Sequence, residues 1–315
     1  MLNTIAFVIA GGFLLYKGAE WLVGSAARVA KHFRISRIII GLTIIAVGTS
    51  LPELVTSLMA AFGGAPDLAL GNVLGSNVAN IGLVLAIAVI IKPLKSHVDD
   101  LYRDAPWLVL GSVFLLILSL DGILSRLDGL VFIFFSGIFY YYIISHVRKA
   151  RMEEEELPFH EFKLTSRDRT KNYLLIILGM ATLILGAQML LAGALEAARI
   201  FSVPELLIGI TLVALGTSLP ELAASAWSAI HGHADVTLGN VVGSNVANIF
   251  LVLGIVIIFT PIHVSQHAIN LDIPFLIVYT FLTIFLIRTR NRLSRWEGIL
   301  LLLIYIIYIT WSFFN

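Results

Sequence analysis

Two glutamates occupy matched positions in a stretch of sequence that occurs twice. Residues 46–57 read AVGTSLPELVTS and residues 214–225 read ALGTSLPELAAS, which places Glu53 and Glu221 at an offset of 168. Both stretches lie inside apolar runs that are long enough to cross a bilayer. A carboxylate at the bilayer centre costs at least about 2.5 kcal/mol and is by default a functional group with a partner.

The partner of these carboxylates is expected to be a bound cation. Lys17 and Arg28 are the only basic residues inside a predicted span, and Glu20 lies one turn from Lys17. Two matched acids without matched bases favour a bound cation as the countercharge. Protonation, or pairing with a buried base, is the alternative.

A proline and a glycine near each acid predict a broken helix. Pro52 and Pro220 directly precede the acids, and proline removes a backbone donor. Gly48 loosens the same turn. The carbonyls of Ala46–Thr49 and Ala214–Thr217 are then expected to lose their helical partners, which membranes tolerate only where carbonyls line a cavity. Carbonyl, hydroxyl and carboxylate oxygens are the ligands that hard cations such as Ca²⁺ and Na⁺ bind.

A second matched stretch follows each acid at the same distance. The sequences GNVLGSNVAN and GNVVGSNVAN end at Asn80 and Asn248, with Ser76 and Ser244 four residues earlier. Residues four apart share one helix face. Close helix packing explains the glycines, but the asparagines are costly in a membrane unless they are bonded. We therefore expect these side chains to face the same site.

Composition identifies the class of protein. Of 315 residues 58% are hydrophobic and 13% are charged, and the mean hydropathy is +0.94. Soluble domains carry nearer a quarter charged residues, so a polytopic membrane protein in contact with the lipid bilayer is expected. The absence of cysteine excludes disulfides and thiol chemistry, and a net charge of +1 gives no indication of a nucleic-acid partner. The first apolar run is expected to be a retained span rather than a signal peptide.

The apolar runs predict an all-α fold with ten transmembrane helices. Their expected bounds are 3–30, 36–62, 67–92, 103–120, 127–146, 172–199, 204–231, 235–260, 268–288 and 294–313. The one sizeable polar segment, 147–171, contains the acidic run Glu153–Glu156. We interpret this segment as a solvated linker, with calcium sensing by the acidic run as the alternative.

The linker separates two copies of one unit. Between 41–93 and 209–261, 31 of 53 positions are identical without a gap. The predicted organisation is a first five-helix repeat at 1–146, the linker at 147–171 and a second repeat at 172–315. Because five is odd, the two copies must cross the membrane in opposite directions. Inverted repeats of this kind are typical of transporters with a site at the bilayer midplane.

The distribution of basic residues supports that inversion. Under ten spans, 17 lysines and arginines fall in loops on one side and only Arg126 and Arg199 fall on the other. The positive-inside rule then puts the linker in the cytosol and both termini outside.

Other chemistry has weaker support. All eight histidines fall at predicted helix ends or in loops, which disfavours a transition-metal or proton-relay site in the core. His231 and His233 resemble a metal pair beside Asp235, although they lie outside the core. No nucleophile–base pair, phosphate loop or Walker lysine is present, so neither an enzyme nor an ATP-driven pump is expected.

Two GTSLPE motifs, each followed by GSNxxN in inverted five-helix halves, resemble the sodium/calcium exchanger family, in its prokaryotic form, over the whole chain. The GTSLPE form is similar to the sodium-coupled branch. The resemblance implies a four-helix core of broken helices around a diamond of ion sites, with the first helix of each half sliding across it. It implies that the central Ca²⁺ ligands are the carboxylates of Glu53 and Glu221 with the carbonyls of Thr49 and Thr217. The ligands that it implies for the flanking Na⁺ sites come from Ala46, Ala214, Ser50, Ser218, Ser76 and Ser244. It implies that Asn80 and Asn248 line the middle.

One position departs from part of that family. Some relatives carry Asp where this chain has Asn248. With asparagine in both halves the site holds two carboxylates, a charge that one Ca²⁺ or two Na⁺ would neutralise. The exchange of three Na⁺ for one Ca²⁺ is therefore an expectation from the resemblance alone, and the missing acid favours independence from potassium.

The sequence thus predicts an antiporter that exchanges Na⁺ for Ca²⁺ by alternating access, functional as a monomer in the plasma membrane and without a cofactor. A proton-coupled cation exchanger on the same fold is the first alternative. A cation channel is the second.

Overall fold

The computed structural model describes residues 2–95, 98–154, 164–200, 214–290 and 292–314, and these are almost entirely helical. The elements of the first half are α1 (Leu2–Phe33), α2 (Arg37–Ile40), a π-helix (Gly41–Ile45), α3 (Ala46–Thr49), α4 (Leu51–Phe62), α5 (Pro66–Ala79), a π-helix (Asn80–Leu85), α6 (Ala86–Ile91), β1 (Leu94–Lys95), α7 (Val98–Ser119), β2 (Ile123–Leu124) and α8 (Arg126–Glu154). The elements of the second half are α9 (Ser166–Ile200), α10 (Ala214–Thr217), α11 (Leu219–Ile230), α12 (Ala234–Val246), a π-helix (Ala247–Leu253), α13 (Gly254–Phe259), β3 (Ile262–His263), a π-helix (Ala268–Asp272), α14 (Ile273–Arg290), β4 (Arg292–Leu293) and α15 (Arg295–Phe314).

The chain is a multi-pass membrane protein. Eight helical segments among the described residues are long and apolar enough to cross a bilayer, and α7 adds a shorter apolar helix from Pro106. The predicted helix 204–231 is described only from Ala214 onward, so its first ten residues lie outside the described part of the chain. The other predicted helices are all present, with ends shifted by a few residues except around the linker.

Two helices extend into the segment that the sequence predicts to be a linker. Helix α8 continues to Glu154 and α9 begins at Ser166, so both helices enter the segment 147–171 predicted to be the linker. Lys, Arg and Glu are good helix formers, so a membrane helix readily continues into water. Thr165 caps α9, because its hydroxyl accepts from the Asp168 N–H at 3.1 Å and lies 2.7 Å from the Asp168 carboxylate.

Loops from both halves meet at one end of the bundle, which we call the basic end. Arg37 Nη1 lies 3.0 Å from His233 Nδ1, and Arg295 Nε donates to the Ile90 carbonyl at 3.1 Å. Strand β1 pairs antiparallel with β4, with Lys95 opposite Arg292. At the opposite end β2 pairs with β3 in the same manner. Residues predicted to lie on one side of a membrane therefore contact one another.

Helices α1 and α9 form a long antiparallel pair. A methyl group on Gly18 would come within 2.7 Å of the Leu183 backbone nitrogen, and one on Gly179 within 2.6 Å of the Leu22 nitrogen. Only glycine allows such a close backbone approach. The contact is reciprocal, because Gly18 meets the Gly179 carbonyl while Gly179 meets the Gly18 carbonyl.

The polar core is built from four other helical elements. Helix α4 packs on α5 in the first half, and α11 packs on α12 in the second. Fully buried polar side chains concentrate on these helices and the segments next to them. The first turns of α4 and α11 carry the two glutamates.

Candidate functional site

Both predicted breaks are present, and they fall at serines. Ser50 separates α3 from α4 with φ −82° and ψ 2°, and Ser218 separates α10 from α11 with φ −87° and ψ 4°. A ψ near 0° lies outside the α region. A proline follows within the first two positions of each new helix, where its missing N–H is tolerated. The two halves thus break their helices at equivalent residues.

The carbonyl of Ala46 keeps its helical partner, so the prediction that it would be freed is wrong. Ser50 N donates to it at 3.0 Å, because the residue four positions on is Ser50, whose N–H is intact. The proline at position 52 instead removes the donor for the carbonyl of Gly48. The Ala46 oxygen still approaches polar groups, with the Ser244 hydroxyl at 3.5 Å and the Thr49 hydroxyl at 3.3 Å.

Glu53 and Glu221 lie in the first turns of α4 and α11 and are fully buried. The N-terminus of a helix carries a partial positive charge, which favours an anion there. The two carboxylates are near enough to repel each other, and the Ser76 hydroxyl lies beside Glu53. Ser50 Oγ donates to Glu221 Oε1 at 3.4 Å, which joins the break of one half to the acid of the other.

Most of the oxygens in this region have no hydrogen-bond donor among the described residues. They are both carboxylate oxygens of Glu53, Oε2 of Glu221, the hydroxyls of Ser76 and Ser218, and the amide oxygens of Asn80 and Asn248. Burying an unpaired carboxylate costs several kcal/mol even after relaxation. An oxygen-only set with two negative charges is the donor chemistry that Na⁺ and Ca²⁺ prefer. Within the described residues no group of three or more His, Cys, Asp or Glu side chains could hold a metal ion.

Two asparagines outside the predicted ligand set hold the half-helices in place. Asn72 Nδ2 donates to the Ser57 hydroxyl at 2.9 Å and to the Glu53 carbonyl at 3.3 Å. Asn240 makes the equivalent bonds to Ser225 and to the carbonyl of the second glutamate, at 3.0 and 3.5 Å. All of these residues recur at the offset of 168, and that duplication is the signal that could have identified them.

Other asparagines link the two halves across the middle of the molecule. Asn80 Nδ2 donates to Asn245 Oδ1 at 2.9 Å, and Asn245 Nδ2 donates to the Asn77 carbonyl at 3.2 Å. The helix becomes π-helical from Asn80 and, in the second half, from Ala247, directly before Asn248. Single turns of π-helix occur often at functional sites.

The remaining predicted residues have the following positions. Ser218 is buried at the break itself, and Asn248 is buried within the π-helix Ala247–Leu253. Thr217 is partly buried and lines a cavity together with Pro52. Ala214 begins α10, and its side chain is not among those described.

The chain is similar to known proteins over nearly its whole length. The profile described as sodium/calcium exchanger protein matches residues 3–145 and 171–314. Sodium/calcium exchanger MaX1 of Methanosarcina acetivorans is 31% identical, with 99% of both chains covered, and putative antiporter CaxA of Alkalimonas amylolytica is 35% identical, with 98% of both covered. A solved structure of the sodium-calcium exchanger NCX_Mj matches with a TM-score of 0.86 and 32% identity, over 98% of this chain and 99% of that one. The chain therefore belongs to the sodium/calcium exchanger family.

Proposed function

We propose that this protein is a secondary antiporter that exchanges Na⁺ for Ca²⁺ at a site formed by Glu53 and Glu221. One observation carries the proposal: two fully buried carboxylates begin two broken half-helices, and three of their four oxygens have no donor among the described residues. The relatives named for sodium/calcium exchange support the choice of ions.

Coupling follows from the charge of the site. One Ca²⁺ or two Na⁺ neutralise the two carboxylates, whereas both loads together would leave a net positive charge in a medium of low dielectric constant, which is unfavourable. The two ions therefore exclude each other. The proposed further ligands are flanking oxygens from both halves. They are the oxygens of Thr49, Thr217, Ser50, Ser218, Ser76 and Ser244 and the carbonyl oxygens of Ala46 and Ala214.

Exchange also needs the site to face one side at a time. Helices α1 and α9 touch through their backbones and form one unit, and we propose that this unit moves across the core of α4, α5, α11 and α12. The packed core of asparagine contacts stays fixed during this movement. Such rocking around a midplane site is how many transporters with inverted repeats work.

The proposed organisation has two inverted repeats, 1–146 and 172–315, with the basic end in the cytosol and both termini outside, in the plasma membrane. The contacts of Arg37, Lys92 and Arg292 at one end support this orientation through the positive-inside rule. A single chain supplies both glutamates, so we propose that a monomer is the functional unit. The cycle makes and breaks no covalent bond, and we propose neither an enzymatic activity nor a cofactor.

The test is ⁴⁵Ca²⁺ uptake into proteoliposomes that contain Na⁺ and are diluted into Na⁺-free buffer. Vesicles loaded with choline, and vesicles with an imposed pH gradient, are the controls. Uptake that needs internal Na⁺ supports the proposal. Uptake that follows the pH gradient alone would replace it with a proton-coupled exchanger, and uptake that needs no counter-ion would replace it with a channel.

A further inference from the structure

The two helices that flank the core do not contact it in the same way. Helix α1 packs closely on α11, where Ala19, Val23 and Ala224 are at most 1% exposed and share one apolar cluster. The equivalent pair, α9 and α4, is separated by a cavity of about 220 Å³. The cavity begins beside the site and lies along the first turns of α4, a helix that runs from the break at Ser50 away from the basic end. The seam between α1 and α11, on the side of the basic end, is therefore closed, whereas the equivalent seam on the other side of the site contains a cavity.

The lining of the cavity has an equivalent in the closed seam. The described residues that line it include Thr56, Ala187, Gln188, Leu191 and Thr217. The repeat offset of 168 converts them, in the same order, into Ala224, Ala19, Glu20, Val23 and Thr49, by addition for Thr56 and by subtraction for the other four. Four of these five form the buried seam just described or the site itself. Glu20 takes the place of Gln188, the exposed polar side chain in the cavity.

We propose that Glu20 lines the cytosolic access path to the ion site when α1 separates from α11, in the place that Gln188 occupies on the outer path. This inference rests on the proposed alternating access. In the present state Glu20 is partly exposed and its carboxylate is bonded to Lys17 Nζ at 2.8 Å. The equivalent of Lys17 is Leu185, which is 51% exposed and is not among the cavity-lining residues. The carboxylate therefore faces the path, and the ammonium group lies beside it.

This arrangement makes the two access paths electrostatically different. The outer path carries a neutral amide and the inner path carries a carboxylate with a cation at its rim. A charged group in a cleft with low-dielectric walls changes the local concentration of ions. Glu20 attracts cations to the cytosolic mouth, and Lys17 moderates that attraction.

The experiment compares the two neutralisations separately and together. The variants are Glu20→Gln, Lys17→Leu and the double variant, which gives α1 the residues of α9 at these positions. The apparent KM for Ca²⁺ is measured at the cytosolic face in everted membrane vesicles and at the outer face in right-side-out vesicles. At the cytosolic face we expect Glu20→Gln to raise the apparent KM for Ca²⁺ by about threefold to tenfold. We expect Lys17→Leu to lower this KM. The KM of the double variant should lie between those of the two single variants. At the outer face the KM of every variant should stay within about twofold of the wild-type value.

These outcomes separate an electrostatic role from structural damage. Damage to α1 would change both faces, or would shift both single variants in the same direction, and either result would overturn the proposal. An unchanged KM in every variant would overturn it as well. Loss of Na⁺-driven uptake in the wild type would instead be a failure of the proposed function.

A second arm tests the placement without transport. The chain has no cysteine, so Glu20→Cys and Gln188→Cys each introduce a single thiol. A membrane-impermeant maleimide is expected to label Glu20→Cys from the cytosolic face and Gln188→Cys from the outer face. Labelling of Glu20→Cys from the outer face, or from neither face while Gln188→Cys reacts, would contradict the assignment.

Discussion

The side-chain amide nitrogen of Asn72 lies 3.3 Å from the backbone carbonyl oxygen of Glu53. The second half repeats this contact between Asn240 and Glu221 at 3.5 Å. In each half an asparagine on one helix thus fixes the first turn of the neighbouring half-helix, the turn that carries the glutamate. The position of each carboxylate depends on a hydrogen bond from outside its own helix.

Removal of these amides should weaken ion binding without removing a ligand. In Asn72→Ala the carbonyl of Glu53 and the hydroxyl of Ser57 each lose a donor, which costs about 1–3 kcal/mol. We expect Ca²⁺ affinity to fall by roughly tenfold in Asn72→Ala and in Asn240→Ala. Equilibrium ⁴⁵Ca²⁺ binding measures the effect, with Thr310→Ala, a change at an exposed position, as the control. Wild-type affinity in both variants would show that the contact does not position the site.

Neutralisation of either carboxylate should abolish exchange. Glu53→Gln or Glu221→Gln leaves one negative charge to balance a divalent cation, and loss of one partner of a buried charge pair costs about 2–5 kcal/mol. Na⁺-driven ⁴⁵Ca²⁺ uptake should fall to background in both. Glu196→Gln, an equivalent change near the end of α9, is the matched control and should transport normally. Ordinary exchange in either glutamine variant would contradict the proposed role of the carboxylates.

A third carboxylate should change the balance between the two ions. Both amide atoms of Asn248 lack a partner among the described residues, so Asn248→Asp adds a charge where oxygen ligands are expected. With a charge of −3 the site should bind a third Na⁺, and the Hill coefficient for Na⁺ should rise above that of the wild type. Asn80→Asp, the equivalent change in the first half, is the comparison, since Asn80 already bonds Asn245. An unchanged Na⁺ dependence in Asn248→Asp would place that side chain away from the ions.

The close contact between α1 and α9 predicts that substitutions at two glycines of α1 have different effects on stability. A side chain at Gly18 would meet the α9 backbone at 2.7 Å, whereas one at Gly12 would meet no atom within 4 Å. Overpacking of a close contact typically costs about 1–3 kcal/mol. Thermal unfolding in detergent should therefore show a lower Tm for Gly18→Val than for Gly12→Val. Equal Tm values would mean that the two helices separate easily.

The histidine at the basic end predicts a loss of stability in acid. Burial, followed by the Arg37 guanidinium, lowers the pKa of His233 below its usual value of 6.5. Between the lowered pKa and 6.5 the unfolded chain binds more protons than the folded one, so unfolding becomes easier as the pH falls through that window. The stability is complete above pH about 6.5. The fall in Tm below that pH should be smaller in His233→Asn than in the wild type, and an equal fall would assign it to other groups.

The sequence predicted the parts of this site that depend on neighbours along the chain. The breaks near Pro52 and Pro220 follow from proline itself, and the buried acids follow from their position in apolar runs. The contacts between Ser50 and Glu221 and between Asn80 and Asn245 join residues more than 160 positions apart, and only packing determines them. A motif identifies such residues but not their partners.

Local sequence rules also placed the helix ends near the linker and the freed carbonyl a few residues from their observed positions. Hydropathy ends a span where charged residues begin, yet α8 continues to Glu154 and α9 begins at Ser166, because Lys, Arg and Glu favour helix. Proline identified the break, but the carbonyl that loses its donor is that of Gly48 and not that of Ala46. In both cases a local rule was applied a few residues from the place where it acts.

Equilibrium ⁴⁵Ca²⁺ binding to the purified protein, with Na⁺ as the competitor, tests most directly whether both ions use the site of Glu53 and Glu221. We predict one Ca²⁺ per chain, displaced by Na⁺ with a dependence steeper than that for a single ion and unaffected by choline at equal ionic strength. Glu53→Gln and Glu221→Gln should each lose this binding. Ca²⁺ that stays bound at saturating Na⁺, or that binds normally in both variants, would contradict the account.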